Sequence, residues 1–270
     1  MRWAMRSGRW WRVKRVMAAL GLLEGAALFP FHGTTLAAPL HESELWSYGG
    51  PEQYNRTTIA SFAAIADSAL GAFDYLDCGA HLGLFGAQFA TFSGGCQRIT
   101  AVEPNPAMLP FLEGNLRAGR VQDVAVVNAA MADFSGRGRL VAPDYDPGSD
   151  HAHYLVADPA GPVEVIRLDA LGARAGARVA IKLDIEGQEL AVLQAAADWL
   201  RGRERVVLCV ELHRKVLARV GQTDAGLLAA INAIRPMVWV DADHPERVLD
   251  LARPIPGDAA QADVIGRDAP

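Results

Sequence analysis

The chain has 270 residues, 51% of them hydrophobic and 21% charged, with a formal net charge of −5. That is enough apolar chain for one full core, and the charge balance excludes a generally basic nucleic-acid binder. The three cysteines, Cys78, Cys96 and Cys209, are scattered and odd in number, so they read as small buried side chains, and no CxxC or His/Cys cluster suggests zinc.

The charge is uneven along the chain. Arg2, Arg6, Arg9, Arg12, Lys14 and Arg15 all precede the first acid, Glu24. The first thirty residues imitate a signal peptide, but the basic stretch is long, Glu24 breaks the apolar run, and no clean A-x-A site follows. The run is also too short and interrupted to span a bilayer. A basic helix carrying Trp3, Trp10 and Trp11 fits packing on the domain or on a neighbouring subunit, and it also fits peripheral contact with an anionic membrane surface. Residues 1–55 are therefore read as a helical N-terminal extension of a cytoplasmic protein, and residues 56–270 as the main domain.

From residue 56 onward short apolar runs alternate with helical patterns, the mark of a parallel sheet wrapped by helices. Helices are expected at 56–70, 81–92, 107–119, 188–200 and 224–235. Strands are expected at 73–79, 98–104, 124–131, 163–171, 178–187, 205–213, 237–243 and 262–268. The last two have no obvious helix between them and suit an antiparallel edge pair. Residues 132–162 are rich in Gly, Pro, Asp and Ser, with room for one hairpin, and a stretch this irregular is commonly functional or mobile.

LDCGAHLGLFG, from Leu76 to Gly86, reads as a strand, a glycine turn at Gly79 and a following helix. Gly79 and Gly83 let a ligand approach the main chain, and open parallel sheets bind ligands at such strand ends. Glu103, at the tip of the second strand in VEPNP, can accept two hydrogen bonds from a ribose diol. A nicotinamide enzyme would show G-x-G-x-x-G, whereas this turn reads G-A-H-L-G and lacks the second glycine. Asp77 ends a buried strand and needs a partner, which an amino-acid ammonium would supply. S-adenosylmethionine has both that ammonium and a ribose, and so accounts for Asp77 and Glu103 together.

These segments resemble the FkbM-type methyltransferases. LDCGAHLGLFG resembles that family's D-x-G-A-x-x-G loop, AVEPNP its E-P-x-x segment, IKLDIEGQELAVL its K-x-D-x-E-G-x-E signature, and VELH (210–213) its E-x-H. The resemblance covers roughly residues 70–215. It implies a doubly wound, mostly parallel seven-stranded α/β sheet, the Rossmann-like class I methyltransferase fold. It also implies S-adenosyl-L-methionine as cofactor and, most often, O-methylation of natural products or sugars. Asp77, Gly79, Ala80 and Gly83 would then meet the methionine end of the cofactor, Glu103 the ribose, and Pro104, Asn128 and Ala129 the adenine. His81 sits where the family commonly has asparagine.

IKLDIEGQE places Lys182, Asp184, Glu186 and Glu189 within eight residues, with Lys182 and Asp184 on one face of a strand and Glu186 just past its tip. A sugar hydroxyl needs a base to take its proton, and Asp184, Glu186 and His213 are the candidates, with Lys182 tuning or anchoring one of them. Glu186 could instead pair with Lys182 or cap the next helix. Asp184, Glu186 and Glu211 could hold a hard cation, but the ligand set is thin and no metal is assigned. DYDPGSDHAHY (144–154), with His151 and His153, reads either as a lid over the cleft or as a solvated polar loop.

The leading expectation is an S-adenosylmethionine-dependent O-methyltransferase acting on a small-molecule or carbohydrate hydroxyl, with no nucleic-acid partner. The alternatives are a non-catalytic binding or assembly module that keeps the cleft, and, further off, a nicotinamide-dependent oxidoreductase.

Overall fold

The computed structural model describes residues 16–17, 20–21, 25–40, 49–119, 121, 123–142, 153–172, 176–257 and 260–269. The basic segment with Trp3, Trp10 and Trp11 and the loop containing His151 lie outside them. Among the described residues no helix is long and apolar enough to cross a membrane.

Part of the extension expected to be helical is a β-hairpin, β1 (Ala26–Phe31) and β2 (Thr34–Pro39). Its burial has period two: Phe29 and Phe31 on β1, with Leu36 and Ala38 on β2, turn to the protein. His32 and Gly33, at φ 42° and 84°, make the two-residue turn that such hairpins favour. The hairpin packs on Leu82, Leu84, Ala87 and Met108. Asn115 binds it further, accepting from the Ala37 N–H at 2.8 Å and donating to the carbonyls of Ala37 and Leu82 at 2.9 and 2.7 Å.

The main domain opens with α1 (Arg56–Leu70), β3 (Phe73–Cys78), α2 (Leu84–Phe92), β4 (Cys96–Val102), α3 (Leu109–Arg117) and β5 (Asp123–Val127). It continues through β6 (Ala130–Met131), β7 (Gly136–Val141), β8 (Tyr154–Ala157), β9 (Val163–Ile166), α4 (Leu168–Gly172) and β10 (Arg178–Leu183). The remainder is α5 (Glu189–Ala195), α6 (Ala197–Arg201), β11 (Arg205–His213), α7 (Arg214–Arg219), α8 (Asp224–Ile234), β12 (Met237–Asp241) and β13 (Gln261–Asp268).

Seven strands form the central sheet in the order β12-β13-β11-β10-β3-β4-β5. All run parallel except β13, which is antiparallel to both its neighbours, so the edge pair expected from the missing helix is present. Side chains alternate between two cores. Tyr75, Ala180, Val207 and Cys209 pack with α1 and α2, while Leu76, Ile181, Leu208 and Val210 pack with α5 and α8. All three cysteines are free and buried.

Two expected strands turn out differently. Residues 124–131 are split at Asn128: β5 belongs to the central sheet and β6 to a second sheet ordered β6-β9-β7-β8. The Asn128 side chain pins that corner by donating to the carbonyls of Glu103 and Pro104. Residues 163–171 give β9 in the small sheet and then the helix α4. The hairpin expected within 132–162 is β7–β8. The helix expected over 188–200 breaks at Ala196 into α5 and α6.

Candidate functional site

A cleft of about 540 Å³ opens at the carboxyl ends of β3, β4, β10 and β11, within the range of small-molecule sites. Of the residues expected there, Gly79, Ala80, His81, Glu103, Pro104 and Ala129 line one part, and Lys182, Asp184, Glu186 and His213 line another. Asp77 and Gly83 are buried behind the wall, and Asn128 lies outside the lining, exposed at the corner after β5. The small sheet covers one side with Leu140, His153 and Leu155.

At the glycine turn, the N–H groups of Gly79 and Ala80 both donate to the Val102 carbonyl at 3.0 Å, fixing the turn to the end of β4. Gly79 has φ 82°, and a Cβ there would overlap the Asp184 carbonyl oxygen, so only glycine lets the two loops touch. Gly83 has φ 75° and starts α2, and a Cβ on it would meet Leu112 at 2.8 Å. It serves helix packing. His81 has φ 46°, a left-handed geometry in which asparagine and histidine are both enriched, and this explains how one replaces the other.

Glu103 is buried at the cleft wall. Its carboxylate accepts from the backbone N–H of His81 and of Asn105, each at 2.8 Å. Burial pushes its pKa above the usual range, and those two donors oppose the rise. A carboxylate pinned in this way keeps acceptor capacity for a ligand diol.

The register explains the charges on the neighbouring strands. Lys182 lies opposite Asp77 on β3, so both side chains rise on the α1 face of the sheet. Asp77 is fully buried, with no hydrogen bond of good geometry to either oxygen. Its partner is Lys182, with Nζ 3.9 Å away, so a protein ammonium takes the role assigned from the sequence to a ligand. Lys182 also donates to the Gly79 carbonyl and to Asp184 Oδ2, both at 3.0 Å. Burial works against its charge, yet Asp184 and Asp77 hold its pKa well above normal.

β11 and β13 add two carboxyls on the same face, since Glu211 pairs with Asp263 across the strands. Burial opposes ionisation of Asp184, but Lys182 and a hydrogen bond from Glu211 hold its pKa below the usual range. The Asp184 charge, then burial, drives Glu211 well above the usual range. Asp263 is pushed up to about 6 by burial and by Asp184. Among the described residues no group of three or more His, Cys, Asp or Glu side chains has a metal-holding arrangement.

The loop after β10 carries Glu186 in the left-handed region, at φ 56°, followed by Gly187 at 97°. Glu189 holds it there by accepting from the N–H groups of Ile185 and Gly187 at 3.1 and 3.2 Å. Burial pushes Glu189 up to about 7. Glu186 pairs with His213, its Oε2 3.7 Å from Nδ1, and neither pairs with Lys182 nor caps α5. That contact raises the His213 pKa above its ordinary value despite partial burial.

A family model described as the methyltransferase FkbM domain matches residues 77–232. The chain belongs to the FkbM methyltransferase family. No curated protein matches it. Among solved structures, methyltransferase FkbM from Methylobacillus flagellatus KT is 18% identical with a TM-score of 0.48. That match covers 82% of this chain and 52% of the other, so the chain spans about half that protein's length. TYW2 from M. jannaschii, in complex with AdoMet, is 12% identical with a TM-score of 0.47, over 90% of this chain and 85% of that one. N-methyltransferase NodS from Bradyrhizobium japonicum WM9 is 10% identical with a TM-score of 0.46, over 79% and 94%.

In this FkbM-family chain Tyr54, Asn55, Lys215 and Gln261 also stand on the cleft wall, and Asp263 lies beside Glu211, with no motif in the sequence to mark any of them. Glu211 was legible only as a metal candidate. Its alternation with Cys209 on β11 was visible, but its place beside Asp184 depends on strand register.

Proposed function

We propose that the chain binds S-adenosylmethionine and transfers its methyl group to a hydroxyl of a small molecule, sugar or glycan, with His213 as general base. The observation that carries this reading is one continuous cleft holding the doubly anchored Glu103 and the Glu186–His213 pair. Glu103 suits the ribose diol, the bare Gly79–Ala80 backbone suits the methionine end, and Pro104, Ala129 and Met131 offer an apolar wall to the adenine. When bound, S-adenosylmethionine supplies an electrophilic methyl carbon.

The protein's work is then to aim the acceptor oxygen and remove its proton. Asp184 is a poor base, because Lys182 and Glu211 already stabilise its charge. It anchors Lys182 instead. His213 is better matched to the task, since Glu186 sits on Nδ1, raises its basicity and leaves Nε2 as the atom to take the proton.

Labelled methyl transfer to a panel of monosaccharides and hydroxylated aromatics tests this. His213→Asn should lower kcat by about 10²–10⁴-fold with S-adenosylhomocysteine affinity unchanged. In the wild type kcat should fall as pH drops through a pKa above the usual histidine value of about 6.5, and Glu186→Gln should move that limb to lower pH. Wild-type turnover by His213→Asn would remove His213 from the mechanism.

A further inference from the structure

Arg219, the last residue of α7, reaches two elements that are far apart in sequence. Its guanidinium lies over the Tyr154 ring at 4.2 Å from the centroid. One edge of the same group donates from Nη2 to the Glu186 carbonyl at 2.9 Å. Tyr154 stands between His153 and Leu155, both on the cleft wall, and Leu155 pairs with Leu140 across the hairpin. One side of β8 therefore covers the cleft while Tyr154 meets Arg219.

We infer that Arg219 is a positioning residue whose clasp on Tyr154 and the Glu186 carbonyl keeps the Glu186 carboxylate against His213. The inference rests on the base assignment proposed above. Glu186 occupies a left-handed conformation that a non-glycine residue leaves unless its surroundings hold it. Glu189 fixes the two N–H groups that flank Glu186, and Arg219 fixes its carbonyl. A planar guanidinium can stack on a ring by its face and donate by its edge at once, which a lysine ammonium cannot do. The arrangement joins the cover of the cleft to the partner of the base, so a disturbed cover would loosen the base.

The charged groups around His213 are Glu186 and Asp184 from the end of β10, Glu189 from α5, Glu211 from its own strand and Lys215 from α7. His153, just before β8, shares the cleft, and Gln261 of β13 is the strand partner of His213. None of these groups changes in Arg219→Lys, and the variant keeps the positive charge, so a shift in His213 reports position.

The experiment is an NMR titration of the His213 imidazole in the full chain, its resonance assigned by loss in His213→Asn. Glu186→Gln should lower the His213 pKa and sets the scale. Arg219→Lys and Tyr154→Leu should each raise its acid dissociation constant by roughly threefold or more. Tyr154→Phe, which keeps the ring, should titrate like the wild type. If Glu186→Gln lowers the pKa while Arg219→Lys and Tyr154→Leu follow the wild type, the clasp has no positioning role and the base pair stands. If Glu186→Gln leaves the titration unchanged, the Glu186–His213 pair itself fails, and the clasp with it.

Discussion

Lys182→Met is expected to lower folding stability at pH 7 by about 3–5 kcal/mol, the usual cost of stranding one member of a buried ion pair. Lys182 is the cation for both Asp77 and Asp184, and Asp77 has no accessible surface and only the neighbouring Tyr75 hydroxyl to fall back on. The change also frees the Gly79 carbonyl, where the glycine turn is tied to β10. The sign of the pH dependence follows from Asp77. Burial already holds its folded pKa above the ordinary value, against the pull of Lys182, and loss of the lysine raises it further. A carboxyl whose pKa is higher folded than unfolded destabilises most above the folded value, and the penalty vanishes below the unfolded one. The deficit of Lys182→Met should therefore shrink as pH falls towards the ordinary aspartate range. Adding Asp77→Asn should recover much of it at pH 7. Urea unfolding of the wild type and the two variants at pH 7 and pH 5 checks this, and a Lys182→Met protein within 1 kcal/mol of wild type, on that roughly 3 kcal/mol lower bound, would mean Asp77 is already neutral.

Glu103→Ala should weaken S-adenosylhomocysteine binding by about 100-fold, since hydrogen bonds to a charged group contribute about 1.5–3 kcal/mol each and tenfold in affinity is about 1.4 kcal/mol. The loss is not confined to the ligand. The carboxylate also receives the N–H groups of His81 and Asn105, so its removal loosens the glycine turn and the start of the segment leading to α3. Glu103→Gln should not rescue binding. An amide offers one acceptor oxygen where two backbone donors converge, and turns its own NH₂ towards one of them. Calorimetry gives the affinity, with thermal unfolding as the control for fold. Unchanged affinity in a folded Glu103→Ala protein would remove this residue from the site.

The central sheet was legible because its strands are short apolar runs separated by helical periods, and the missing helix between 243 and 262 betrayed the antiparallel edge. Periodicity says which face a residue takes, but it does not say which sheet a strand joins. For that reason 124–131 and 163–171 looked like central strands, and only the corner at Asn128 divides them from the small sheet. The N-terminal hairpin carried a signal in the alternation of Phe29, Phe31, Leu36 and Ala38 about His32–Gly33, which the preceding basic and apolar run obscured. At the site, the loop residues Gly79 and Glu103 could be read from spacing. Lys182 beside Asp184 also followed from one strand face, whereas the partners of Asp77 and His213 could not be read, because each depends on register or on a turn between distant segments. An isolated buried aspartate in the sequence invited a ligand as its partner, and register supplied Lys182 instead.

The measurement that bears most directly on the proposed function is calorimetric titration of the purified chain with S-adenosylmethionine, S-adenosylhomocysteine and NAD. Saturable binding of the first two and none of NAD is the predicted result. Binding of NAD, or of none of the three by folded protein, would contradict it.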